Sequence, residues 1–150
     1  MRLTEVHVVR LPIHRVPPGS PRLVVEEVPE GEPAPGLAFA KRPPDLARAG
    51  VALMLWIQVA PLDTPDRLQV LGADIEGDRL VFAIEHRDFE GILGANVREC
   101  GAVGAQLPPL AKGQYDVTLT VERYGFTRLD RPEDAELRER TEQHLSFSLH

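Results

Sequence analysis

Apolar and polar residues alternate with a period of two along much of the chain, the pattern of strands that bury one face. The run Tyr115-Asp116-Val117-Thr118-Leu119-Thr120-Val121-Glu122 shows it most plainly, with its apolar members on one side and its polar members on the other. Leu80, Phe82 and Ile84 repeat the pattern, as do Leu145, Phe147 and Leu149, and Leu23 with Val25. Residues 3–11 predict a weaker strand of mixed faces. The stretch from Val51 to Val59 is apolar on both faces until Gln58. It suits a central strand covered on both sides, or one whose outer face lies under a loop or a partner. Gly77-Asp78 separates two strand-like runs and reads as a type II′ hairpin turn. Helix is scarce: one short surface helix is predicted near 132–142, where Asp130 and Glu133 resemble a capping box and acidic residues crowd the first turn. About eight strands with turns between them predict an all-β fold, an antiparallel β-sandwich or a closed barrel.

Composition sharpens this picture in two places. A chain of 150 residues fits a single domain spanning 1–150. Of its 14 Pro residues, nine fall between Pro12 and Pro44, and residues 29–50 form a Pro-rich loop, long for a compact domain. The single Cys excludes an intramolecular disulfide framework and a Cys-rich zinc site.

Charge narrows the partners. The chain carries 17 basic and 23 acidic residues, a net −6. The excess sits in residues 51–110, with 4 basic and 9 acidic groups. No basic stripe is present, so nucleic acid is not an expected partner, and anionic membrane surfaces are repelled. The start of the sequence lacks an apolar run of signal-peptide length, and no stretch suits a transmembrane helix. The expected location is the cytoplasm.

One segment resembles a known corner. Leu107-Pro108-Pro109-Leu110-Ala111-Lys112-Gly113-Gln114-Tyr115-Asp116-Val117 is similar to the Leu-x-x-Leu-x-x-Gly-x-Tyr-x-Val run of immunoglobulin-like and fibronectin type III-like sandwiches. The resemblance implies a structural corner built from Leu110, Gly113 and Tyr115, with the Tyr hydroxyl bonding back to upstream backbone. It implies a fold and no particular function. Unlike antibody domains, the chain has no Cys pair beneath its one Trp, Trp56.

Candidate chemistry is sparse. The five His residues, His7, His14, His86, His144 and His150, show no compact ligand spacing. Glu85-His86-Arg87-Asp88 offers several ligand types, but neighbours on a strand alternate faces, so neither a metal site nor any cofactor is expected. Asp74, Glu76 and Asp78 lack the order of a calcium loop and read as a solvated acidic edge. No Ser sits in a nucleophile elbow, and the lone Cys100 reads as a small buried hydrophobe, so catalysis is not expected. Two features suggest contacts: Leu37 and Phe39, apolar within the Pro-rich loop, and Met54 and Trp56 on the second face of the 51–59 strand. The sequence therefore predicts a non-catalytic protein-interaction or assembly module, an accessory subunit or a homo-oligomer, touching its partner through Leu37, Phe39, Met54 and Trp56. The alternative is a small-ligand or metal-binding β-barrel with His86 or His144 near its mouth. An enzyme using Cys100 is a third class.

Overall fold

The computed structural model describes residues 1–16, 18–28, 39 and 47–150. Most of the Pro-rich loop, with Leu37, lies outside these residues. The strands are β1 (Val6–Pro12), β2 (Leu23–Glu27), β3 (Leu53–Leu62), β4 (Arg67–Glu76), β5 (Arg79–Phe89), β6 (Glu99–Leu107), β7 (Gly113–Phe126) and β8 (Glu136–Leu149). They form two four-stranded sheets, ordered β1-β6-β3-β2 and β4-β5-β7-β8. The fold is all-β and has two layers.

The alternating residues meet between the sheets. Leu53, Leu55 and Ile57 of β3, Leu80, Phe82 and Ile84 of β5, and Val117, Leu119 and Val121 of β7 share one buried cluster. Each fully buried Leu, Ile or Phe contributes about 1.5–3 kcal/mol relative to exposure. The Gly77-Asp78 turn joins β4 to β5 with Glu76 opposite Arg79. Gly77 has φ +59°, while no non-Gly residue, Asp78 included, has a positive φ. That is the pattern of a II′ turn.

Two features depart from expectation. The helix predicted near 132–142 is absent: a single 3₁₀ turn, Pro132–Asp134, precedes β8, which runs from Glu136. The segment has no apolar stripe with which to dock a helix, whereas its backbone is paired with β7 from Gly125↔Glu136 onward. The sheets are also not purely antiparallel. β5 pairs with β7 in parallel, Arg79↔Asp116 through Phe89↔Phe126, because the intervening β6 crosses to the other sheet.

The sides of the two-layer body differ. Leu3 N–H donates to Ala73 O at 2.8 Å and Ile75 N–H to Met1 O at 2.9 Å, so residues 1–3 cover part of the β4 edge. On the other side, Ala49 N–H donates to His150 O at 2.9 Å beyond the end of β8. From Glu136 to Ser148, β8 makes backbone hydrogen bonds with β7 alone among the described residues.

Candidate functional site

A second apolar layer lies on the outer face of the first sheet. Leu11, Phe39, Met54, Trp56, Cys100 and Ala102 form it. Phe39, Met54 and Trp56 are only 1%, 5% and 2% exposed, so the chain itself covers them and they present no free surface. Trp56 stands opposite Gly104 on β6, and a Cβ at Gly104 would collide with the indole ring. The glycine lets the ring lie across the neighbouring strand. The indole N–H donates to Glu26 Oε1 at 3.2 Å. Cys100 is buried in the same layer, and burial pushes its thiol up, away from the thiolate a nucleophile needs. A groove of about 220 Å³, lined by Ile13, Arg22, Gln58 and Pro61 among others, opens beside it.

Tyr115 is buried, and its hydroxyl donates to Ala111 O at 2.6 Å. Gly113, with φ +147°, opens β7, and Leu110 packs on the main core.

The chemistry gathers at one end of the main core. On β5 one face runs Leu80, Phe82, Ile84 and His86, all buried, and then Asp88, half-buried. The period of two continues while the residues change from apolar to titratable. Parallel to it, β7 runs Val117, Leu119, Val121, then Arg123, which pairs in register with His86. The third contributor is the β3–β4 turn. Asp66 N–H donates to Asp63 O at 3.0 Å to close it, and the Asp63 amide donates back to Asp66 Oδ2 at 3.1 Å. Asp66 Oδ1 accepts the Phe89 amide at 2.8 Å, and its Oδ2 lies 3.2 Å from His86 Nε2. Asp66 and His86 are 3% and 5% exposed.

Basic groups surround this cluster without neutralising it fully. Arg10 donates to Asp66 O at 2.7 Å, to Asp63 O at 2.6 Å and to Glu99 Oε1 at 3.1 Å, so its donors are spent on the turn and on β6. Arg123 lies 3.3 Å from Asp88, 3.9 Å from Glu90 and 3.5 Å from Glu139, one guanidinium among three carboxylates. Arg138 pairs with Glu90 at 3.0 Å, and Gly125 leaves the space that the Glu90 carboxylate fills.

The two aspartates respond oppositely. Burial pushes the Asp66 carboxyl up, but the hydrogen bonds from His86 and from the Phe89 and Asp63 amides outweigh it and hold the group below its ordinary value. Asp88 is pushed above its ordinary value, first by burial and then by the negative charge of Asp66, with His86 and Arg123 only partly offsetting these.

Strand alternation does separate His86 from its neighbours Glu85 and Arg87. His86 and Asp88, however, are two apart and share a face, and the turn brings in Asp66 from the strand before. The period-two rule read two positions ahead could have found the His86–Asp88 pair; no local signal marked Asp66. His144 is on the other face of the second sheet, exposed, 3.3 Å from Glu142, and does not join His86. No described helix is long and apolar enough to cross a membrane. Comparison with protein-family models, curated proteins and solved structures finds no match to this chain.

Proposed function

We propose that the protein is a non-catalytic assembly module that joins a second copy of itself through the edge of β8. The observation that carries this reading is the edge itself: 14 residues long, with β7 as its sole backbone partner from Glu136 to Ser148 among the described residues. An open edge presents N–H and C=O groups ready for strand addition. Its side chains carry alternating charges, which discourage pairing in arbitrary registers. In an antiparallel pair with a two-fold axis at Thr141, Arg140 of each copy stands opposite Glu142 of the other. Two-fold symmetry makes that match twice, and opposite charges directly across a strand pair are favourable. Leu137, 55% exposed, lies on the same strand and adds apolar surface to the contact.

The lone thiol, Cys100, is buried and pushed up, which supports reading it as a packing residue and not as a nucleophile. The Tyr115 corner supports an immunoglobulin-like arrangement of the sheets, and the buried free thiol accords with a cytoplasmic protein.

Light scattering across a concentration series tests the proposal. The wild-type chain is expected to form a dimer. Arg140→Glu sets like charges opposite each other twice, and is expected to weaken the dimer by about tenfold or more. Adding Glu142→Arg restores the pairing and the dimer. A wild-type chain that remains monomeric at about 1 mM, or a dimer indifferent to Arg140→Glu, would sink the reading.

A further inference from the structure

We propose that Asp66, His86 and Asp88 form a binding site for a first-row divalent cation, of zinc or manganese chemistry, at the polar end of the main core. One donor atom from each of the three lies within 4.8 Å of the others. His86 Nε2 and Asp66 Oδ2 stand 3.2 Å apart. Two donors about 2.1 Å from a zinc-sized ion in tetrahedral geometry stand about 3.4 Å apart, and in octahedral geometry about 3.0 Å. The observed pair falls between these, so an ion can bridge it with little movement.

The backbone prepares the site. Asp66 is fixed by the amides of Asp63 and Phe89, each of which leaves lone pairs free on the carboxylate. His86 and Asp88 project side by side from one strand, which limits the adjustment to rotation of the Asp88 side chain. Arg123, 3.3 Å from Asp88, also holds Glu90 and Glu139.

Electrostatics favour a cation here. Two carboxylates share the end of the core while Arg10 is committed to Asp63, Asp66 and Glu99, and Arg123 is divided three ways. Two oxygens and one imidazole suit zinc or manganese; the set is too small for calcium and lacks the thiolate that copper(I) prefers. Three protein donors leave positions on the ion for water or for an incoming donor.

Protein stripped with a chelator and then titrated with Zn²⁺ by calorimetry is expected to bind one ion per chain. Co²⁺ in its place is expected to give visible absorption from a low-symmetry oxygen and nitrogen site. His86→Gln disturbs a buried group and risks the fold, so Asp88→Asn carries the test, with circular dichroism confirming that the strands persist. Asp88→Asn is expected to weaken binding by about tenfold or more, while His144→Ala leaves it unchanged. No saturable binding of Zn²⁺, Mn²⁺ or Co²⁺ up to about 1 mM would overturn the proposal. Binding that survives Asp88→Asn would overturn it too, by placing the ion elsewhere. The test does not depend on dimer formation.

Discussion

Asp66 and Asp88 show how one local environment sets opposite signs. Asp66, held below its ordinary value, contributes stability that is present above about pH 4 and is lost as the pH falls through its lower folded value. Asp88, raised, contributes in the other sense: its share is present below about pH 4 and is lost as the pH rises through its higher folded value. Asp66→Ala leaves two amides and the His86 ring without their acceptor, and is expected to cost about 3 kcal/mol near neutral pH. That loss should shrink in acid. Asp88→Asn removes a half-buried charge while keeping an acceptor for Arg123, so in metal-free protein it is expected to be neutral or stabilising near pH 7. Its advantage should fade below pH 4. Urea denaturation of both variants at several pH values checks both signs; a stabilising Asp66→Ala would contradict the assigned hydrogen bonds. Neither role was visible in the sequence, because Asp66 acts through backbone amides that only the folded turn brings to it.

At the scale of elements, β3 shows what periodicity reveals and what it leaves out. Its two apolar faces marked it as covered on both sides, and Met54 and Trp56 do belong to a second buried layer that includes Phe39. What covered them was ambiguous, since an apolar outer face looks the same beneath a loop and beneath a partner. The Gly104 position was equally silent, because a glycine in a strand does not announce the ring that rests on it. Gly104→Ala forces the Trp56 indole to move and is expected to cost about 1–3 kcal/mol, read as a lower urea midpoint with an unchanged slope. The 132–142 segment failed differently. Capping signals and acidic residues favoured a helix start, but a long partner strand with unsatisfied backbone groups outweighed local propensity. The hairpin at Gly77 was legible because it depends on a few adjacent residues. The parallel β5–β7 pair was not, because it depends on where β6 goes.

For the whole molecule, the charge balance and the open β8 edge combine in one expectation: a dimer held partly by Arg140–Glu142 pairs should weaken as salt rises. Measuring its dissociation constant across ionic strength checks this, and a salt-insensitive dimer would point to contacts other than the proposed pairs. The crossing of β6 between sheets has a different consequence, for the time the chain takes to fold. β4, β5, β7 and β8 all lie within residues 67–149, whereas the first sheet must bring Val6 beside Ala105. Such distant pairings cost loop entropy before they repay it, so folding should take milliseconds to seconds. The second sheet is then expected to organise the transition state, with β1 docking late. In stopped-flow experiments Leu119→Ala should mainly slow folding, while Leu11→Ala should mainly hasten unfolding. Until β1 arrives, β6 remains an open apolar edge, and that interval is when the nascent chain is most exposed to aggregation.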